Sequence, residues 1–461
     1  MITESEPTTA NTPTVGDSEE RSVRSGRIGW IVAGSLGAGL AAAIGLVVGP
    51  VAGAPENVIT GSVLLAFAGA WMTLAVLSER RTDQPQRWAR VPAAVMAVSG
   101  AMILMVAPTG NEFGWVWPPA LVGLVIWMTA RAHRDLHSRA RRWVVYPVFA
   151  ALLLAAVGGV YETSQESPGN AALPMPGRLI DIGGRRLHLN CTGSGSPTVV
   201  LEPGLGEPSS MMAAWIAPDV AATTRVCVYD RAGRAWSDDA SAPQDGIQLA
   251  TDLHDLLDRA GEKGPYVLAG HSAGGVYVQA FASKFPAEVA GMVLLDSMHP
   301  DQIARLASYP SFKAMFDRAS ALMAPLARLG VMRAVETSAA ATLPSPQRDE
   351  ERAFLSTPRH NRSIRDEFSE LPTAMGQARS LTSLGSRPLI VVTAERDAED
   401  GWMSLQNDLA ALSTNSDHRV LATATHEMIP ADEHTAAEAS QAVTDVVIAV
   451  RTGASVNGQA G

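Results

Sequence analysis

Residues 266–284 read YVLAGHSAGGVYVQAFASK, from Tyr266 to Lys284, and they decide what the second half of this chain is. Tyr266–Ala269 is an apolar run suited to a buried strand. Gly275–Lys284 has the composition of a helix. Between them stands Gly270-His271-Ser272-Ala273-Gly274, a G-x-S-x-G turn from strand to helix. A turn this tight leaves no room for a Cβ beside the serine, so glycines must flank it. It holds the Ser272 hydroxyl out at the strand end and aims a helix N-terminus at the same place. An alcohol displayed in this way is a nucleophile that needs a neighbouring base.

The same alternation of strand and helix continues on both sides of that turn. Arg178–Ile182 and Arg186–Asn190, joined by Gly183-Gly184, read as a hairpin. Thr198–Leu201, Arg225–Tyr229, Met292–Leu295, Leu389–Thr393 and Arg419–Ala422 read as further buried strands. Leu249, Leu253, Leu256 and Leu257 fall on one face of a helix, as do Val443, Val446, Val447 and Val450. The pattern predicts an α/β class with a doubly wound, mostly parallel sheet. One long connection, Ser297–Arg387, interrupts it. A stretch of that length holds structure of its own, and its Ala, Leu, Met and Arg content predicts a helical cap over the site.

The base for Ser272 is sought among histidines between the last strand and the last helix. His426, in Ala424-Thr425-His426-Glu427-Met428, has that position. His434 falls inside the final helical pattern, His271 belongs to the turn, and His299 opens the cap. The acid that orients the imidazole is taken as Asp397, after the strand Leu389–Thr393, with Asp296 at the end of Met292–Leu295 as the alternative. Asp400 is a weaker choice. A tetrahedral intermediate needs two backbone N–H donors at its oxyanion. Ala273, next to the nucleophile, is expected to supply one. Leu205, in Glu202-Pro203-Gly204-Leu205-Gly206, is expected to supply the other.

GHSAG, the stretch YDRAGRAWSD (Tyr229–Asp238) and the histidine near the C-terminus together resemble the α/β-hydrolase superfamily, in its esterase- and lipase-like AB-hydrolase-1 branch. The resemblance extends over roughly residues 177–450. It implies an eight-stranded sheet, a cap after the sixth strand and the roles assigned above. Two departures stand out. The usual His-Gly of the oxyanion loop is Pro203-Gly204 here, and Ala235 occupies a position where glycine is common. In the strand order that the resemblance implies, Cys191 and Cys227 lie on neighbouring strands. They are a disulfide pair if the domain faces an oxidising compartment, and two buried thiols otherwise.

The first half of the chain has a different character. Ile28–Gly49, Val58–Leu77, Val91–Ala107, Phe113–Ala130 and Trp143–Val160 contain no internal Lys, Arg, Asp or Glu. Each approaches the roughly 20 apolar residues that a helix needs to cross a bilayer, so about five transmembrane helices are expected. Arginines fill alternate loops: Arg21, Arg24 and Arg27, then Arg80, Arg81, Arg87 and Arg90, then Arg131, Arg134, Arg139, Arg141 and Arg142. Read by the positive-inside rule, the N-terminus is cytoplasmic and residues beyond the fifth span are extracytoplasmic, which makes a multi-pass cell-membrane protein. Gly45 and Gly49 form a GxxxG spacing, which is either a helix contact or the outcome of abundant small residues. The resulting organisation is a disordered tail over 1–27, a membrane region over 28–160, a linker over 161–177, a catalytic domain over 178–451 with its cap at 297–387, and a second tail over 452–461.

A net charge of −10 and the lack of a basic stripe argue against a nucleic-acid partner. Two cysteines exclude a Cys-rich zinc site, and no motif calls for a metal or a cofactor. The partners expected are the lipid bilayer and a small or lipid-like ester substrate. Serine at the turn speaks against dehalogenase or epoxide-hydrolase chemistry, which in similar folds uses an aspartate there. The expected function is a membrane-anchored serine hydrolase acting on an acyl bond. A silent receptor or scaffold on the same fold is the alternative.

Overall fold

A strand buried on both faces sends alternate side chains into two separate cores, and the apolar strands of the second half do so. Val267 and Ala269 of one strand join the cluster that includes Val293, Leu295, Ile390 and Val392. Tyr266 and Leu268, their neighbours in sequence, join Met292, Leu294, Leu389 and Val391 on the other side. Helices Ile216–Ala221 and Glu433–Thr452 cover the first face. Helix Gly246–Ala260 covers the second, started by a capping box in which Asp245 and Gln248 bond reciprocally.

These details come from a computed structural model that describes residues 15–107, 113–136, 139–166, 173–334 and 341–456. The predicted tails before residue 15 and after residue 456, the loop 108–112 and the linker stretch 167–172 lie outside the described residues. The chain divides into two units, Met1–Val160 and Tyr161–Gly461.

In the second unit the strands are β1 (Arg178–Asp181), β2 (Arg186–Thr192), β3 (Val199–Glu202), β4 (Val226–Tyr229), β5 (Tyr266–His271), β6 (Val289–Leu295), β7 (Leu389–Ala394) and β8 (Ser416–Leu421). They form one mixed sheet of eight strands in the order β1-β2-β4-β3-β5-β6-β7-β8. The pairings of β2 with β1 and with β4 are antiparallel, and those from β4 through β8 are parallel. β8 starts before the expected Arg419. It is an edge strand, half-exposed along most of its length, and its first residues Ser416, Asp417 and His418 carry no apolar signal. Cys191 and Cys227 face each other in the β2–β4 register and are joined as a disulfide. The connection after β6 is helical, with Tyr309–Arg328, Gln347–Leu355 and Pro358–Ala378 as its main helices.

The first unit is helical. Among the described residues, four segments are long and apolar enough to cross a membrane: Arg27–Val48, Glu56–Arg81, Arg87–Val106 and Trp143–Glu166. The segment expected as the fourth of five spans forms a helix, Trp117–Asp135, but does not join this set. Pro118 and Pro119 open it, and Arg131, His133, Arg134 and Asp135 close it, leaving a short apolar middle. The first helix starts at Val15, inside the stretch expected as tail. Glycine does bring two helices together here, but not at Gly45, where an added Cβ would meet nothing within 4 Å. A Cβ on Gly61 would come within 2.9 Å of the Gly100 carbonyl, and one on Gly100 equally close to the Gly61 carbonyl. This close approach is between helices Glu56–Arg81 and Arg90–Val106, and Gly39 makes another, where an added Cβ would lie 2.4 Å from Ala70 Cβ.

Candidate active site

Ser272 lies between β5 and the helix Ala273–Lys284, with φ 54° and ψ −122°. A side chain rarely occupies that region unless its surroundings hold it there, and here three loops close on it. A Cβ on Gly270 would stand 2.5 Å from the Gly274 carbonyl oxygen, and a Cβ on Gly274 would stand 2.4 Å from the Glu202 carbonyl oxygen. A Cβ on Gly275 would fall 1.7 Å from Ser297 Oγ. The glycines let the start of the helix, the loop after β3 and the loop after β6 press together beneath the serine.

His426 follows β8 and reaches back to the turn. Its Nε2 is 3.0 Å from Ser272 Oγ. Its Nδ1 is 2.5 Å from Asp296 Oδ2. Asp296 follows β6, is buried and sits at φ 40°. Its other oxygen, Oδ1, accepts from the Ala394 N–H at 3.1 Å and from Trp402 Nε1–H at 2.8 Å. The carboxylate thus has hydrogen-bond partners on both oxygens.

The first choice of acid, Asp397, needs correction on this geometry. Asp397 is exposed, and its carboxylate accepts from the backbone N–H of His426 at 3.0 and 3.3 Å. It holds the loop that carries the histidine, while Asp296 holds the ring. The reason is reach. Asp296 turns back at the very end of β6, beside β5, whereas Asp397 lies three residues beyond β7. Of the remaining alternatives, Asp400 and His434 are exposed, and His299 Nδ1 accepts from the Asp301 N–H at 2.9 Å.

Burial alone would push the His426 imidazole down, but the hydrogen bond and charge of Asp296 outweigh it and hold its pKa above the ordinary value. The charges of Glu207 and Asp397 act in the same direction. His271, the last residue of β5, stacks on His426 with ring centroids 4.8 Å apart. Its Nε2 is 3.2 Å from the His426 carbonyl oxygen, and its Nδ1 is 3.4 Å from Glu207 Oε2. Glu207 Oε2 also accepts from the Gly204 N–H at 2.6 Å. Burial opposes its ionisation, yet His271 and that N–H bring its pKa below the usual carboxylate value. Nothing in the sequence marked Glu207 or Trp402, since neither lies in a recognisable motif.

The loop after β3 stands against Ser272: a Cβ on Gly204 would be 3.1 Å from Ser272 Cβ. Within the described residues, no hydrogen bond engages the backbone N–H of Leu205 or of Ala273. Both are unspent donors beside the serine. Ala235, where glycine was expected, sits at φ 29°, so the position does require a left-handed turn. Among the described residues, one group brings metal-binding atoms within 4.8 Å of each other, Cys191, Cys227 and Glu262, and its two sulfurs are bonded to one another.

Comparison with known proteins agrees with this architecture. A family model described as alpha/beta hydrolase fold matches residues 197–431. An uncharacterized protein of Schizosaccharomyces pombe is 34% identical over 158 residues, which are 28% of this chain and 29% of that protein. The chain therefore spans under a third of that relative's length. Among solved structures, a thermophilic esterase from Thermogutta terrifontis aligns with a TM-score of 0.43 and 22% identity, covering 60% of this chain and 99% of the esterase. The epoxide hydrolase CorEH aligns with a TM-score of 0.46 and 21% identity, covering 58% of this chain and 96% of its own.

Proposed function

Because this chain belongs to the alpha/beta hydrolase fold family, and because its serine, imidazole and carboxylate stand in contact, we propose that it is a serine hydrolase that cleaves an acyl bond, a carboxylic ester in the first place. The observation that carries the reading is the continuous path from Ser272 Oγ through His426 to Asp296, with contacts of 3.0 and 2.5 Å. His426 Nε2 takes the Ser272 proton as Oγ attacks the carbonyl carbon. Asp296 holds the ring in the tautomer that exposes Nε2 and stabilises the imidazolium that forms. The N–H groups of Leu205 and Ala273 receive the oxyanion. The imidazolium then returns its proton to the departing alcohol, and water, activated by the same base, releases the acid and restores Ser272.

We further propose that the helical unit anchors the enzyme in a membrane, with Trp117–Asp135 crossing as a fifth, tightly fitting span. The alternation of arginine-rich loops and the Cys191–Cys227 disulfide both favour an extracytoplasmic catalytic domain. An apolar ester at or near the bilayer suits that placement.

A fluorophosphonate probe tests the chemistry. Full-length protein in detergent is expected to be labelled covalently, with labelling abolished in Ser272→Ala. Folded wild type that takes up no label would remove the proposal. Hydrolysis of acyl esters of graded chain length then defines the substrate class. Protease cleavage of the catalytic domain in intact cells tests the orientation: protection behind an intact membrane would reverse it.

A further inference from the structure

The loop that supplies Leu205 is held almost entirely by side chains from elsewhere. Arg231 Nη1 donates to the Pro203 carbonyl at 2.9 Å, and its Nη2 donates to the Gly204 carbonyl at 2.6 Å. Glu207 takes the Gly204 N–H. Two further holds come from the cap helix Pro358–Ala378: His360 Nε2–H donates to the Gly206 carbonyl at 2.8 Å, and Glu367 Oε2 accepts the Gly206 N–H at 3.4 Å. Gly206 and Gly204 flank Leu205, so among the described residues every backbone N–H of this turn is engaged except that of Leu205.

Glu367 is the centre of the arrangement. It is buried, and its Oε1 accepts from Arg231 Nη2 at 2.9 Å and from the Tyr277 hydroxyl at 2.8 Å. Its Oε2 also pairs with Arg234. Arg231 and Arg234 come from the turn after β4, and Tyr277 from the helix that begins beside Ser272. One carboxylate on the cap therefore ties the oxyanion loop to the turn after β4 and to the helix of the nucleophile. Among the described residues His360 Nδ1 meets no partner, and the ring lies fully within the protein beside Arg234, which suits a neutral ring with its proton on Nε2. These residues are far too deep to serve a surface contact. Two buried guanidiniums meet two buried carboxylates, Glu367 and also Glu202, whose Oε1 is 2.6 Å from Arg231 Nη1; burying so many charges is costly, and the geometric yield is a fixed backbone at Gly204–Gly206.

We propose that Glu367, assisted by His360, is a positioning residue for the oxyanion: acting through Arg231 and the Gly204–Gly206 backbone, it sets the Leu205 N–H, so the catalytic arrangement is complete only when the cap helix is docked. This rests on the acyl-transfer reading above. The cap is then part of the machinery that stabilises the transition state, as well as a cover. Displacing it withdraws an oxyanion donor and leaves Ser272 and His426 in contact.

The test uses full-length protein in detergent, a short-chain aryl ester as substrate and an alkyl boronic acid, whose adduct on Ser272 places an oxygen at the oxyanion position. Fluorophosphonate labelling of wild type comes first, and its absence removes the acyl-transfer reading and this inference with it. With labelling established, Glu367→Gln is expected to lower kcat by on the order of tenfold to a hundredfold. KM should stay within about twofold, and boronate affinity should fall by the same factor as kcat/KM. His360→Ala removes one donor without stranding a charge, and should show the same pattern with a smaller loss. His360→Ala decides the matter if Glu367→Gln does not fold. Unchanged kcat, a rise in KM alone, or a loss of kcat with boronate affinity intact would overturn the assignment.

Discussion

Two turns at the same end of the sheet, one after β5 and one after β6, carry the proposed nucleophile Ser272 and the proposed acid Asp296, and they are built in different ways. Both force an L-residue to positive φ, 54° at Ser272 and 40° at Asp296. The Ser272 turn makes room by removing side chains: Gly270, Gly274 and Gly275 stand where a Cβ would strike backbone or Ser297. The Asp296 turn has no glycine beside it in Leu294-Leu295-Asp296-Ser297. It is held by what grips it, with the Asp296 N–H on the Val392 carbonyl and the Oδ1 carboxylate oxygen bound by Ala394 and Trp402. Aspartate tolerates the left-handed region better than most residues. One turn is made by steric permission and the other by hydrogen bonding, so they should fail in different ways.

The largest expected effect lies at the second turn. Asn keeps the shape of Asp296 and its tolerance of positive φ, but it removes the charge that supports the imidazolium. Asp296→Asn should lower kcat by about 10³- to 10⁴-fold with little change in thermal stability, as read from steady-state kinetics beside a melting curve. A loss below tenfold would take the carboxylate role from Asp296. The first turn should respond the other way. Gly274→Ala places a Cβ 2.4 Å from the Glu202 carbonyl oxygen and 2.6 Å from that of Pro203, where only backbone can yield. Destabilisation of about 3 kcal/mol or more is expected in denaturant unfolding of the catalytic domain. An alanine variant as stable as wild type would mean that the turn is not steric in origin.

The third effect concerns the carboxylate one strand further on. Asp397→Asn removes a charge from a hydrogen bond to the His426 main chain and leaves the ring's partner in place. A fall in kcat of no more than about tenfold is expected, well short of the triad value. If Asp397→Asn and Asp296→Asn collapsed turnover equally, the two positions would have to share the work. This pair also marks what the sequence made legible. Glycine requirements are written in residue types, so the turn at Ser272 was readable, as was the division of Tyr266–Ala269 between two cores. His426 followed from its place between a strand and a helix. The choice of acid depends on how far each loop travels past its strand and on who binds it, and Ala394 and Trp402 are remote in sequence from Asp296. Glu207, Arg231 and Glu367 meet only through tertiary structure, so no spacing announced them. The Trp117–Asp135 helix stands apart from the four longer apolar segments for another reason: Pro118 and Pro119 at its start and the charged residues of its last turns shorten its apolar middle.

The smallest effect is the most diagnostic, because its sign matters more than its size. His426 must be neutral at Nε2 to accept the Ser272 proton, so kcat/KM rises with pH as the ring loses its proton. Asp296 holds the imidazole pKa above the ordinary value, so the acid limb of the wild-type profile should lie above about 6.5. Asp296→Asn takes away that support, and its residual activity should have an acid limb displaced to lower pH. Trp402→Phe acts oppositely. It removes the indole donor 2.8 Å from Asp296 Oδ1 and leaves the carboxylate less neutralised by its other partners. More of its charge then falls on the imidazolium, which moves the limb to higher pH. The Ala394 N–H still serves that oxygen, so the loss is about that of an ordinary hydrogen bond, about 0.5–1.5 kcal/mol, and a fall in kcat of roughly twofold to tenfold should accompany the shift. Limbs moving in the same direction in the two variants would mean that Asp296 does not set the charge state of His426. The contact at Nδ1 would then be packing alone.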